Sequence, residues 1–283
     1  PEMQVCRTIA EYRAAIAGFR AQGESVGLVT TMGALHDGHI ALVATAKAQN
    51  DRVVTTIFLN PTQFGNPEDL QKYPRSDEAD LARFRDAGVD AVLMPDVDEM
   101  YPEGDETIVE TTRLSSLFHG AVRPGHFRGV ATVVTKLFNI AGADAAYFGE
   151  KDYQQLAVIC RLVRDLHMPL GIVGVPTVRE ADGLAMSSRN VRLSAEDRAA
   201  APILNASLDA AERLVRAGAT AEEVAETIRR VIATQPRATL RGLDIVHADS
   251  FTPAQGPVTR TIGVMISAEF GEILLIDQRE ITP

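Results

Sequence analysis

Two histidines three residues apart, His36 and His39, stand in the run TMGALHDGHI at residues 31–40, directly after an apolar stretch and at the start of a helix-period one. Backbone N–H groups at a helix start attract anions, and glycines such as Gly33 and Gly38 let a phosphate approach the chain closely. Side chains three apart on a helix share a face, so both imidazoles can point at one ligand. The pair could also be an ordinary capped turn or a pair of zinc ligands. With no cysteine or third histidine nearby, phosphate binding is the favoured reading. The spacing from Gly33 to Gly38 imitates a phosphate-cradling Walker loop, but His39 and Ile40 stand where Lys and Ser or Thr belong, and no Gly-x-Gly-x-x-Gly occurs.

Three further clusters carry chemistry. In FLNPTQFG (58–65), Asn60 and Gln63 offer neutral amides, each donor and acceptor, that can read a carboxylate or hydroxyl without adding charge. In RPGHFRGV (123–130) and FGEKDYQQ (148–155), Arg123, His126, Arg128 and Lys151 make a local cationic excess at loop-to-helix junctions. Lys151 is placed to grip a polyphosphate as a point charge, although a solvated helix start capped by Asp152 is the plainer alternative. In LAMSSRN (184–190), Ser187, Ser188 and Arg189 could wrap a leaving pyrophosphate on a loop able to close.

These clusters need a scaffold. Apolar, Val- and Ile-rich runs at 26–31, 53–59, 91–95, 145–148 and 170–175 lack polar alternation, as strands covered on both faces do. An opening helix is predicted at 8–21. Phe127, Val130, Val134, Leu137 and Phe138, and then Leu156, Ile159, Val163 and Leu166, recur at helical spacing. The pattern predicts an α/β chain with a doubly wound, Rossmann-like parallel sheet over 1–176, which holds ligands at the carboxyl ends of its strands. Beyond it, long helical stretches at 195–217 and 221–234 precede strand-like runs at 243–248, 259–266 and 273–277, predicting a smaller C-terminal α+β domain over 177–283.

Composition narrows the function. The 283 residues carry 28 Lys plus Arg against 38 Asp plus Glu, a formal charge of −10, which argues against a broad nucleic-acid or anionic-membrane surface. Cys6 and Cys160 form no Cys-x-x-Cys pattern, so neither a disulfide framework nor a cysteine zinc site is expected. No apolar run reaches membrane-spanning length, and a cytoplasmic protein is expected. Trp is absent and aromatics are 5%, against a base-stacking platform.

Together, the histidine turn and the later Met-Ser-Ser-Arg loop resemble the paired signatures of the nucleotidyltransferase superfamily, which includes class I aminoacyl-tRNA synthetases. More narrowly, TMGALHDGH, FLNPTQFG, YPR at 73–75, RPGHF, FGEKDYQQL and GLAMSSRN resemble the pantoate-β-alanine ligase family. The resemblance implies ATP-dependent joining of pantoate to β-alanine with magnesium, through a pantoyl-adenylate, in a cytoplasmic homodimer. It assigns His36, His39, Lys151, Ser187 and Arg189 to catalysis at the ATP phosphates. Met32, Gly149, Asp152, Val178, Met186 and Ser188 complete the nucleotide set. Asn60, Gln63 and Gln155 fall to pantoate, Arg123 and His126 to β-alanine or phosphate, and Asp80 to magnesium. Another adenylate-forming ligase, a nucleotidyl transferase, or a non-catalytic nucleotide-binding module are the alternatives.

Overall fold

The computed structural model describes residues 2–283. Among these the chain runs β1 (Gln4–Cys6), α1 (Ile9–Ala21), β2 (Val26–Thr31), α2 (Asp37–Gln49), β3 (Arg52–Ile57), a 3₁₀ turn (Pro61–Gln63), α3 (Pro67–Lys72), α4 (Asp77–Asp86), β4 (Ala91–Leu93) and α5 (Val97–Met100). It continues through α6 (His119–Val122), α7 (His126–Ala141), β5 (Ala145–Gly149), α8 (Tyr153–Asp165), β6 (Gly171–Val175) and a second 3₁₀ turn (Ser188–Arg192). It ends with α9 (Ala195–Ala200), α10 (Ile203–Arg216), α11 (Ala221–Ala233), β7 (Ala238–His247), β8 (Ile262–Phe270) and β9 (Ile273–Ile281).

Two compact units result: one holds the chain up to Gly149 together with Gln154–Val175, the other Glu150–Tyr153 together with Pro176–Pro283. The sequence places a single boundary near 176. The four residues that depart from it are held in the second unit by Lys151, whose Nζ donates to Met186 O at 3.1 Å, and by Tyr153. The Tyr153 hydroxyl donates to Glu280 Oε2 at 2.9 Å, and its ring stacks on Phe251.

In the first unit the strands lie in the order β1-β4-β3-β2-β5-β6, all parallel. Right-handed crossovers send α2 and α4 to one face and α1, α7 and α8 to the other. Val26, Leu28, Val29, Val53 and Val54 are therefore fully buried, which explains their unalternating apolar sequence. The winding reverses between β2 and β5, whose carboxyl ends lead into the histidine turn and into the Lys151 segment. Thr8 starts α1 as the sequence suggests, its Oγ1 accepting from Glu11 N at 3.2 Å.

In the second unit β7-β8-β9 form an antiparallel meander. Leu204, Leu208, Ala211, Val224, Ile228 and Ile232 of α10 and α11 share a core with Ile262, Val264, Ile266 and Phe270. The single helix expected over 195–217 is two, because Pro202 has no N–H to donate and its ring crowds the preceding turn. Cys6 and Cys160 are both free thiols. None of the helices among the described residues is long and apolar enough to cross a membrane.

Candidate active site

Beyond Thr31 the chain reverses before α2 begins. Gly33 (φ +82°) and Ala34 (φ +52°) are both left-handed. For a residue with a Cβ that backbone costs about 1–3 kcal/mol and persists only where the surroundings enforce it. Asp80 enforces it: 2% exposed on α4, it accepts from Ala34 N at 2.9 Å and from Leu35 N at 3.0 Å, one bond to each carboxylate oxygen. Ser76 Oγ adds a third donor at 3.2 Å. Asp80, expected at magnesium, also tethers the histidine turn. Among the described residues no three His, Cys, Asp or Glu side chains gather as a metal cage. Met32, with Phe58, Leu59 and Arg75, lines a cleft of about 170 Å³ at the carboxyl ends of these strands.

His36 is the N-cap of α2. Its Nδ1 accepts from Gly38 N at 3.0 Å, while His39 Nδ1 accepts from His36 N at 3.1 Å, a reciprocal capping box. The ring centroids lie 4.1 Å apart. A backbone N–H can only donate, so each Nδ1 is an unprotonated acceptor and each neutral ring carries its proton on Nε2. Capping and anion binding, alternatives in the sequence, are thus compatible. One nitrogen of each ring closes the helix, and the other is a hydrogen-bond donor at a helix N-terminus whose dipole already favours negative charge.

The 3₁₀ turn after β3 is organised by Asn60, 1% exposed. Asn60 Nδ2 donates to Gly129 O at 3.2 Å and to Gln63 Oε1 at 2.9 Å. Its Oδ1 accepts from Thr62 N at 3.3 Å, Thr62 Oγ1 at 2.9 Å and the Tyr101 hydroxyl at 2.8 Å. Both polar atoms of this amide have partners within the protein, and Asn60, expected to contact a substrate acid, positions Gln63. The main-chain partners settle its polarity: Gly129 O must accept and Thr62 N must donate. Gln63 consequently turns Oε1 inward, and its Nε2 makes no hydrogen bond among the described residues. His126, assigned to β-alanine or phosphate, secures the same residue through its main chain, with Nδ1 2.9 Å from Gln63 O. A carbonyl only accepts, so this Nδ1 carries the proton. Arg123, half-buried, ends α6.

Gly129 lets α7 approach this turn. A Cβ there would lie 2.6 Å from Thr62 O, 2.7 Å from Thr62 C and 2.8 Å from Gln63 Cα, all backbone atoms that cannot swing aside. We expect Gly129→Ala to destabilise the fold by about 1–3 kcal/mol, as overpacking does, measured by denaturant unfolding. On α8, neighbouring glutamines divide their duties. Gln154, 1% exposed, donates to Leu114 O at 3.0 Å and Leu117 O at 2.7 Å and accepts from His119 N at 3.1 Å. Gln155 is half-buried and makes no hydrogen bond among the described residues.

The second unit gathers the remaining candidates. Met186 N donates to Val178 O at 2.9 Å, and Met186 O accepts from Lys151 Nζ. Ser187 Oγ accepts from Arg189 N at 3.2 Å, opening the turn that contains Ser188, and Arg189 Nη1 donates to Leu274 O at 2.9 Å. Burial pushes the Lys151 ammonium below the ordinary lysine range, against the pull of Asp152 and Asp277, with Arg189 adding to the lowering. The loop is pinned by Arg179, which grips the buried Asp277 with two nitrogens at 2.7 and 2.8 Å and donates to Gly183 O at 3.0 Å. Asp152 is exposed, and at Gly149 a Cβ would meet nothing within 4 Å, so the chain itself does not demand a glycine there.

A doubly wound parallel sheet with a His-x-x-His helix cap at its switch point, followed by a Lys-bearing segment and a Ser-Ser-Arg turn, defines a nucleotidyltransferase-type α/β protein. The family model for pantoate-beta-alanine ligase matches residues 4–280, and the chain belongs to that family. The pantothenate synthetase of Agrobacterium fabrum is 50% identical over 280 residues, covering 99% of this chain and 96% of its own. That of Rhizobium rhizogenes is 51% identical over 278 residues, covering 98% and 96%. Pantothenate synthetase from Thermus thermophilus superposes with a TM-score of 0.94 at 46% identity, covering 99% of this chain and 100% of that one. Pantoate-beta-alanine ligase from Francisella tularensis, solved with beta-gamma ATP and beta-alanine, gives 0.80 at 32% identity, covering 98% and 97%.

Proposed function

We propose that this chain condenses pantoate with β-alanine at the expense of ATP, yielding pantothenate, AMP and pyrophosphate through a pantoyl-adenylate. The observation that carries the reading is the family match over nearly the whole chain with the histidine cap intact at the switch point. Oxide cannot leave a carboxylate when an amine attacks. A pantoate oxygen therefore bonds to the α-phosphorus of ATP as the bond to pyrophosphate breaks. The amine of β-alanine then attacks the acyl carbon, the bond to AMP breaks, and the nitrogen sheds its proton.

The first step builds charge on phosphate oxygens and on the departing pyrophosphate, so catalysis consists of positioned donors and cations rather than a protein nucleophile. His36 and His39 supply Nε2–H donors at a helix N-terminus. Lys151 and Arg189 supply charge, and Ser187 and Ser188 shape the loop around the phosphates. Asp152 and Gly149 suit the ribose, the open space at Gly149 leaving room for it, while Met32, Val178 and Met186 suit the adenine side. Gln63 and Gln155 present amides to pantoate. Asp80 holds the loop through Ala34 N and Leu35 N, and a magnesium ion at the phosphates would take most of its oxygens from the triphosphate, with Asp80 as the protein carboxylate beside the histidine turn. Magnesium enters as part of the MgATP substrate. The family resemblance extends to a cytoplasmic homodimer, the dimer being testable by sedimentation equilibrium.

Pyrophosphate-ATP exchange dependent on pantoate alone, followed by AMP and amide release once β-alanine is added, is the expected result. Folded protein that binds ATP without exchange would overturn it. Lys151 adds a pH signature. Because its pKa is lowered, the charge that grips the triphosphate is lost as pH rises through a value below the ordinary ~10.4 of lysine. kcat/KM for MgATP, which reports the free enzyme, should fall along that limb. In Lys151→Arg the guanidinium stays charged, so the limb should vanish even though the rate is lower.

A further inference from the structure

Tyr101 stands outside every motif in the sequence, directly after α5, yet its phenol completes the hydrogen-bond set of Asn60. Its oxygen lies 2.8 Å from Asn60 Oδ1 and 3.3 Å from Thr62 Oγ1. Oδ1 can only accept, so the phenol donates. Burial pushes its pKa up, which keeps that proton in place across the working range. The ring is held from its other side. Lys136 Nζ sits 4.2 Å from the ring centroid, donates to Met100 O at 2.7 Å and pairs with Asp105. Helix α7 organises both ends of this chain of contacts. Gly129, Thr132 and Lys136, spaced by three and four, share one face that takes the Asn60 amide, the Val109 main chain and the Tyr101 ring respectively.

The consequence runs through two amides. Gly129 O and Thr62 N set which way the Asn60 amide faces, the Tyr101 phenol holds its Oδ1 in that setting, and Nδ2 therefore meets Gln63 Oε1, so that Gln63 must show its NH₂. We propose that Tyr101 is a positioning residue which, through Asn60, locks Gln63 with its NH₂ free of protein partners among the described residues, making the contact of Gln63 specific for an acceptor oxygen of the substrate acid. Lys136 stiffens the lock by holding the Tyr101 ring and the main chain before it. The inference rests on Gln63 contacting pantoate.

The test is steady-state kinetics of Tyr101→Phe, alone and combined with Gln63→Ala. Phenylalanine keeps the ring beneath Lys136 and removes only the donor. A single lost hydrogen bond predicts a pantoate KM raised about 5-fold, with the MgATP KM unchanged. In the Gln63→Ala background the same substitution should add nothing, because the two act as one unit. An unaltered pantoate KM in Tyr101→Phe, or an equal rise in both backgrounds, would overturn the proposal, the latter signifying a general disturbance of the fold. If Gln63→Ala itself leaves the pantoate KM unchanged, the reading of Gln63 fails first and the proposal falls with it.

Discussion

Replacing His39 with alanine is expected to slow formation of pantoyl-adenylate by about 10²-fold or more, the usual consequence of removing one preorganised donor from developing negative charge. The same substitution removes half of the capping box, because His39 Nδ1 accepts from His36 N. A lost cap costs only about 1 kcal/mol, or roughly 2–4 °C in Tm for a chain of this size. His39→Gln separates the two roles. Glutamine at this third helical position can reach back to the cap N–H as in the ordinary capping box, so the melting temperature should recover. The rate of pyrophosphate release in a single turnover should not, since no imidazole Nε2–H is restored. Recovery of both would make His39 a cap and nothing more.

Gln63→Glu should raise the pantoate KM by about 10²-fold and leave the MgATP KM nearly unaltered. Asn60 would still donate to one carboxylate oxygen, as it does to Gln63 Oε1, so the other would face the substrate where an NH₂ now stands. A hydrogen bond to a charged group, worth about 1.5–3 kcal/mol, becomes a contact between like charges, and each 1.4 kcal/mol is tenfold. Gln63→Ala, which deletes the donor without adding repulsion, should cost less. Equal effects of the two substitutions in pantoate titrations would remove Gln63 from contact with the acid.

The parallel sheet is legible in the sequence because its central strands are covered on both faces and so are written as unbroken apolar runs. β1 escapes because it is three residues long with only Cys6 of them buried. β7 and β9 are longer than the apolar runs that announce them. In β9 the run ends on Asp277 and the continuation carries Arg279, charges that look like a strand end until their partners are known. Asp277 is gripped by Arg179, and Arg279 by Asp209, Glu212 and Asn205 of α10. The site divides the same way. His36, His39, Gln63, Lys151 and the Ser-Ser-Arg turn are readable because each lies in a short local pattern. The partners of Ala34 and Asn60 are not, because Asp80 lies 46 residues from Ala34 and Tyr101 lies 41 from Asn60. No local periodicity encodes such pairings, and they give Asp80 and Asn60 a supporting duty that their motifs do not announce.

The four residues from Glu150 to Tyr153 mean that the polypeptide passes between its two units three times, at 149/150, 153/154 and 175/176. For anyone recombining members of this family, the seam at 175/176 is therefore a false joint. A chimera spliced there would inherit Lys151 and Tyr153 from one parent, and Met186, Phe251 and Glu280, which receive them, from the other. The heritable cassette is discontinuous: residues 150–153 belong with the C-terminal parent, and a swap that carries them along should keep the lysine in its native seat.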